Sequence, residues 1–231
     1  LKRLPDGTPL EYKARFCVRG DLQTEGVDYF ETYAPVVQWS TIRLLLTLIL
    51  SNGWATKQVD YTNAFAQAEI MEEVYVDPPK GFGGKDKLDK VLLLLKSLYG
   101  LKQAPKTFFD KLSAGLIERG FTPSEHDPCL FMKGEMICVV YVDDTIIAGP
   151  DSQAIEEEIR LLGITNDEFQ HKFQLRDEGE VGDFLGIRIK KVGKNSFNLS
   201  QPGLIEKVLT ASNMLDSRPT VILSSTTNLG I

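Results

Sequence analysis

Residues 137–148 read ICVVYVDDTIIA, with two adjacent carboxylates, Asp143 and Asp144, inside an otherwise apolar, β-favouring run. Like charges repel, and both lose hydration in such a setting, so the pair needs a reason. A turn supplies one, since Asp is favoured there and water is near. A bound divalent cation supplies a sharper one by neutralising both. The run predicts a hairpin of 137–142 with 145–148, its turn at Asp143-Asp144, where the pair is either a solvated turn or a metal site at the tip.

Upstream, Lys133-Gly134-Glu135 separates 129–132 from 136–142 and predicts another hairpin. Residues 54–60 read as a strand that closes on Asp60 and runs through YTNAF toward a helix. If this strand neighbours the hairpin, Asp60 comes beside Asp143. Three carboxylates at one end of a sheet suit Mg²⁺, a hard cation that prefers oxygen ligands and substrate phosphates. Two such ions about 4 Å apart would activate an attacking hydroxyl and stabilise a leaving phosphate.

The other elements follow from their punctuation. Residues 12–18 read as a strand, and Ser40 as the N-cap of a helix over 41–51 that stops at Asn52-Gly53. Residues 74–76 form a short strand before Asp77-Pro78-Pro79, 81–84 a turn, and 91–95 a strand or a buried helix turn. Pro105 opens a helix with an apolar stripe of Phe108, Phe109, Leu112 and Leu116. Asp151 or Ser152 caps a helix to Leu162, with Glu156 and Arg160 paired at i,i+4. Residues 184–189 and 197–199 read as strands, and a last helix after Pro202 turns Leu204, Ile205, Val208 and Leu209 inward. The hairpins favour an α+β fold, with a largely antiparallel sheet covered on one face by helices.

Among 231 residues, 42% are hydrophobic and 25% charged, enough to bury a core, and no apolar run reaches membrane-span length. The start, LKRLPDG, has neither a Met nor the apolar stretch of a signal peptide, so the chain is expected to be a piece of something longer. Three cysteines at scattered spacing fit reduced thiols, and His126 with Cys129 lacks the second pair a zinc site needs. The net charge of −6 is unevenly spread: 80–119 hold nine Lys/Arg against four Asp/Glu and 1–20 hold five against two, whereas 151–180 hold nine acidic residues against three basic. A polyanion would meet two basic stretches and one acidic face.

At YVDD, 141–144, the sequence resembles reverse transcriptases, and the other blocks resemble the copia-type retrotransposon branch of that family. In order they are YKARFCVRG at 12–20, GVDYFETYAPVV at 26–37, QVDYTNAFAQA at 58–68, VYVDPPKGF at 74–82, SLYGLKQAP at 97–105 and DFLGI at 183–187. Together they cover essentially the whole chain. The resemblance implies a right-hand polymerase: fingers at 1–38 and 68–105, palm at 39–67 and 106–200, and the start of a thumb at 201–231. It implies RNA-directed and DNA-directed DNA synthesis, with Asp60, Asp143 and Asp144 as catalytic ligands of two Mg²⁺ ions, Mn²⁺ possible. Lys13, Arg15, Tyr61, Phe65, Tyr99, Gly100 and Gln103 would face the nucleotide, Phe65 as the ring that rejects a ribose 2′-hydroxyl. Tyr141, Val142, Lys102, Phe184, Leu185 and Gly186 would contact primer or template.

The implied partners are an RNA template, a DNA primer, deoxynucleotides and other segments of a retrotransposon polyprotein, with no membrane. The implied location is intracellular, in a cytoplasmic virus-like particle and later the nucleus. After the gate ring the family commonly continues Leu-Asn-Gly, where this chain has Ala66-Gln67-Ala68. The tail after Arg218-Pro219 is expected to stop short of a complete thumb. The alternative expectation is therefore an inactive remnant that only binds nucleic acid. Nucleotide cyclisation on a palm-like sheet is a third reading, but it has no use for the SLYGLKQAP or YKARFCVRG blocks.

Overall fold

The computed structural model describes residues 2–3, 9–11, 14–79, 81, 90–163, 169–193 and 196–217. Two compact units divide the chain, Leu1–Val181 and Gly182–Ile231, so their boundary falls inside the stretch assigned above to the palm. In the first unit β1 (Lys2–Arg3) pairs with β2 (Pro9–Glu11). Then come α1 (Trp39–Asn52), β3 (Ala55–Tyr61), the short α2 (Ala64–Gln67), and β4 (Tyr75–Val76) paired with β5 (Leu92–Leu93). They are followed by α3 (Ala104–Glu118), β6 (Thr122–Pro123), β7 (Leu130–Lys133), β8 (Met136–Tyr141), β9 (Asp144–Gly149), α4 (Ser152–Leu162) and β10 (Leu175–Gly179). Six strands make one sheet in the order β10-β3-β9-β8-β7-β6, antiparallel throughout. The α+β expectation holds.

Residues 14–18 do not form the strand expected over 12–18. Residues 12 and 13 lie outside the described residues, and 14–18 carry no ladder, only a bond from the Val18 N–H to the Tyr99 carbonyl. The turn expected at 81–84 also lies outside, apart from Gly81.

The apolar stripe of α3 (Phe108, Leu112, Leu116) and that of α4 (Ile155, Ile159, Leu162) close over one sheet face at Val59, Cys138, Val140 and Ile147. Tyr61 and Phe173 complete this core, with the Tyr61 ring edge-on to Phe108 at 5.4 Å and to Phe173 at 5.5 Å. The opposite face of the central hairpin is buried too, at Val139, Ile146 and Ala148, and α1 lies against β9. Helices on one face only is thus corrected: cover on both faces is why 137–148 shows no alternation.

Helix α1 stops where expected, on left-handed Gly53 with φ 64°. It starts one residue before the expected cap, and Ser40 does not cap it. No side chain caps its first turn; the Asp127 carboxylate holds the helix start from across the fold, accepting from the Gln38 N–H at 3.0 Å and the Thr41 hydroxyl at 2.6 Å. Asp127 also accepts from the Cys129 N–H, and Cys129 is fully buried, its thiol pushed up to about 12 by that burial and by Asp127. Of the His126/Cys129 pair, Cys129 is in the core and His126 is exposed. In α4 the cap is Asp151, but Arg160 pairs with Glu157, while Glu156 reaches Lys57.

At the end of α3, buried Arg119 donates to the carbonyls of Gly115, Leu161 and His171. Beside it, Glu118 accepts from the Gln170 and His171 N–H groups and meets the His171 ring at 2.9 Å. Those bonds hold its carboxyl down at about 2, against an ordinary value of 4.5. A depressed carboxylate stabilises the fold above its unfolded value and loses that contribution as pH falls through the folded one. The melting temperature is therefore expected to fall between about pH 4.5 and 2, and Glu118→Gln to flatten that limb, measured by circular dichroism.

The second unit holds β11 (Asp183–Phe184), β12 (Ile187–Lys191) and β13 (Phe197–Ser200), followed by α5 (Pro202–Ala211). The single strand expected over 184–189 is a hairpin. Phe184 pairs with Ile187 across Leu185 and Gly186, both left-handed at φ 54° and 72°, a geometry that turns the chain back in two residues. The inward face expected of α5 is not formed, because Leu204, Ile205 and Val208 are each more than half exposed and no α5 residue is buried. Among the described residues no helix is long and apolar enough to cross a membrane.

Candidate active site

Register builds the site. Asp60, next to last in β3, stands directly across from Asp144, the first residue of β9, and Asp144 stands across from Tyr141 at the end of β8. On the other side Arg176 of β10 stands across from Asp60. Paired residues share a face, so Arg176, Asp60, Asp144 and Tyr141 form one row over four strands, on the face opposite α3 and α4. The expected turn at Asp143-Asp144 is displaced by one residue. The loop is Val142-Asp143, and the Asp143 carbonyl accepts from the Tyr61 N–H at 3.1 Å, tying the tip to β3. Val142 sits at φ 52°, a left-handed conformation that is strained for a β-branched residue.

Asp144 carries the electrostatic signature of the row. Its carboxyl is raised from 3.8 to about 6, first by burial and then by Asp143, Asp60 and Glu178. Around the same end, the ring of Tyr99 lies 4.6 Å from that of Phe65, and the Arg15 guanidinium stands over Tyr99 at 5.0 Å. The Tyr99 hydroxyl is raised by partial burial and by the charges of Asp143 and Asp60, which places it within their field. Three blocks far apart in sequence thus meet here. Among the described residues no three His, Cys, Asp or Glu side chains converge closely enough to enclose a metal ion.

The sequence comparisons give the chain a family. The family model described as reverse transcriptase (RNA-dependent DNA polymerase) matches residues 2–225. The chain belongs to that family. It is 37% identical over 218 residues to the retrovirus-related Pol polyprotein from transposon RE1 of Arabidopsis thaliana, covering 93% of this chain and 14% of that polyprotein. It is 34% identical over 225 residues to the one from transposon TNT 1-94 of Nicotiana tabacum, covering 95% and 16%. The transposon Ty1-H Gag-Pol polyprotein of Saccharomyces cerevisiae matches at 33% over 196 residues, covering 82% and 10%. These relatives bear out the copia-type resemblance, and the chain spans between 10% and 16% of their length. Among solved structures, the RNA-dependent RNA polymerase from bacteriophage phi12 aligns with a TM-score of 0.43 and 14% identity, over 73% of this chain and 31% of that one, too distant a likeness to carry weight.

The expected site residues of this reverse transcriptase domain are distributed unevenly. Arg15 and Phe65 gather on Tyr99, which lies in the field of Asp143 and Asp60, whereas Lys13 lies outside the described residues. Tyr61, expected at the nucleotide, instead has its side chain in the core, 1% exposed. Gln103 is 2% exposed, donating to the Asp28 carbonyl and accepting from Gln23. Lys102 is held within the chain as well, by the Gln23 carbonyl, the Tyr29 hydroxyl and the Tyr29 ring. Both side chains fasten residues 23–29 to the helix start.

Gly100, at φ 95°, is so close to residue 18 that a Cβ there would lie 2.1 Å from the Val18 carbonyl oxygen. Tyr141 and Val142 lie at the hairpin end, while Phe184, Leu185 and Gly186 belong to the second unit, with Phe184 buried there. Sequence reading missed Arg176 and Glu178, because LRDEG has none of the β-favouring alternation of a strand. It also missed Gln67, whose amide exchanges bonds with both backbone groups of Gln174 and so locks the entry to β10.

Proposed function

We propose that this row is a polymerase centre, in which Asp60, Asp143 and Asp144 hold two divalent cations, Mg²⁺ with Mn²⁺ as a substitute. The domain then extends a DNA primer with deoxynucleotides on an RNA or a DNA template. The observation that carries this reading is Asp144, a half-buried carboxylate facing two others, whose raised pKa marks a negative field that a cation relieves. The donor set fits, since all three residues offer the oxygen ligands that hard cations take. Bound there, the ions would help deprotonate the primer 3′-hydroxyl and stabilise the departing pyrophosphate.

The chain's own groups do the rest. The Asp143 carbonyl, bonded to Tyr61, fixes the hairpin tip against β3. The Phe65 ring, packed on Tyr99 and Phe108, is too constrained to yield to a ribose 2′-hydroxyl and so selects deoxynucleotides. Arg15, with Lys13 before it, supplies charge-assisted bonds to the triphosphate. Fingers at 1–38 and 68–105, palm at 39–67 and 106–200 and the start of a thumb at 201–231 remain the proposed lobes. The proposed setting is a retrotransposon polyprotein inside a cytoplasmic particle.

A second reading, nucleic-acid binding without synthesis, is favoured by the carboxylates' failure to converge on one point. One assay pair separates the two: primer extension on an RNA template with Mg²⁺ or Mn²⁺, beside filter binding of the same duplex across a salt series. Incorporation of deoxynucleotides supports polymerisation. Salt-sensitive binding without incorporation supports the second reading, and neither binding nor incorporation sinks both.

A further inference from the structure

Arg176 adds a function to the row that the three aspartates do not explain. Its guanidinium lies 3.7 Å from the Asp60 carboxylate and 3.0 Å from that of Glu178, and its own side chain is 68% exposed. Asp60 otherwise faces Asp144 directly across the β3–β9 ladder, a like-charge pairing that destabilises a sheet. Arg176 is Asp60's cross-strand partner on the opposite side, so register alone holds a cation against Asp60. Glu178 offers the guanidinium a second anchor on the same strand, so the arginine can let go of Asp60 without losing an ion pair.

We infer that Arg176 is a built-in counterion for Asp60, occupying the carboxylate when no divalent cation is bound and competing with the cation for it. This rests on the metal-binding role proposed above. Arg176 is a positioning residue here: it keeps Asp60 neutralised and ordered until the cation arrives, then releases Asp60 and keeps its pair with Glu178. The competition is mild. An exposed arginine pair contributes little, so the arginine lowers cation affinity without abolishing it.

The test is Mn²⁺ binding to the full chain by calorimetry, with no nucleotide or nucleic acid present, for wild type, Arg176→Gln and Arg176→Lys. Arg176→Gln is expected to bind Mn²⁺ about two- to fivefold more tightly, the size of an exposed ion pair. Arg176→Lys, which keeps the charge, is expected to return toward wild type. In EDTA, Arg176→Gln is expected to melt below wild type, and with saturating Mn²⁺ to recover most of that difference. Equal or weaker Mn²⁺ binding by Arg176→Gln overturns the inference while leaving the metal site standing, as does an equal loss of melting temperature with and without Mn²⁺. Absence of Mn²⁺ binding in every variant overturns the metal-site reading and this inference with it.

Discussion

Asp144→Asn is expected to abolish primer extension while making the metal-free chain harder to unfold. The two effects share one cause. In the folded chain Asp144 is half-buried beside Asp143, Asp60 and Glu178, and its carboxyl is raised from 3.8 to about 6. Above about pH 6 its charge therefore destabilises the fold, and below the ordinary carboxylate value the penalty is gone. Two pKa units would correspond to about 3 kcal/mol, which solvent screening at a half-buried site reduces to about 1–2 kcal/mol.

The amide is nearly isosteric and uncharged, so the midpoint of urea unfolding in EDTA should rise at about pH 8 and stay unchanged at about pH 4. Catalysis moves the other way. If Asp144 holds a divalent cation as proposed, an amide oxygen is a poor substitute for its carboxylate, and losing several kcal/mol of metal-derived transition-state stabilisation lowers the rate by roughly a thousandfold or more. An Asp144→Asn variant that extends primers at the wild-type rate, or is less stable than wild type in alkaline EDTA, contradicts this account.

How far the sequence discloses this site depends on the range of the forces involved. The hairpin of β8 and β9 is written locally, in an apolar run broken by charge, and so is Asp60 at the end of its strand. Whether those strands are neighbours is a long-range fact that spacing cannot supply, and the Asp60–Asp144 register answers it. The turn lies one residue from where the local signal puts it. Asp favours turns, yet the fold places Val142 at φ 52° and leaves Asp144 in the ladder. Tertiary bonding overrides the local cap signal at Ser40: the helix begins one residue earlier, its start held by the Asp127 carboxylate.

Arg176 and Gln67 escape a sequence reading for the same reason. Each has a decisive partner more than 100 residues away in the chain, Asp60 in one case and Gln174 in the other. The resemblance supplies candidate residues in family blocks. It does not reveal that the Tyr61 ring is core, or that Lys102 and Gln103 are engaged within the fold.

Gly100→Ala is expected to prevent stable folding of the first unit, although it adds a single methyl group at a surface loop. Gly100 sits at φ 95°, outside the range an L-residue adopts comfortably, which alone costs about 1–3 kcal/mol. Its Cβ would then overlap the Val18 carbonyl oxygen at 2.1 Å, and that oxygen is backbone with no rotamer to escape into. The approach is reciprocal: a Cβ on Gly20 would lie 1.9 Å from the Gly100 carbonyl oxygen.

Two glycines therefore let the 14–20 segment and the 99–101 loop touch backbone to backbone, joined by the Val18 N–H to Tyr99 carbonyl bond. That contact carries Arg15 to its place over the Tyr99 ring. With strain and overlap together, the loss is expected to exceed about 4 kcal/mol, among the largest effects a single substitution produces. Thermal unfolding measures it, and Gly26→Ala is the control. Gly26 also has positive φ, at 78°, but nothing lies within 4 Å of its Cβ, so only the conformational penalty applies. If Gly100→Ala melts no lower than Gly26→Ala, the two segments do not meet as described, and nothing holds Arg15 over the Tyr99 ring.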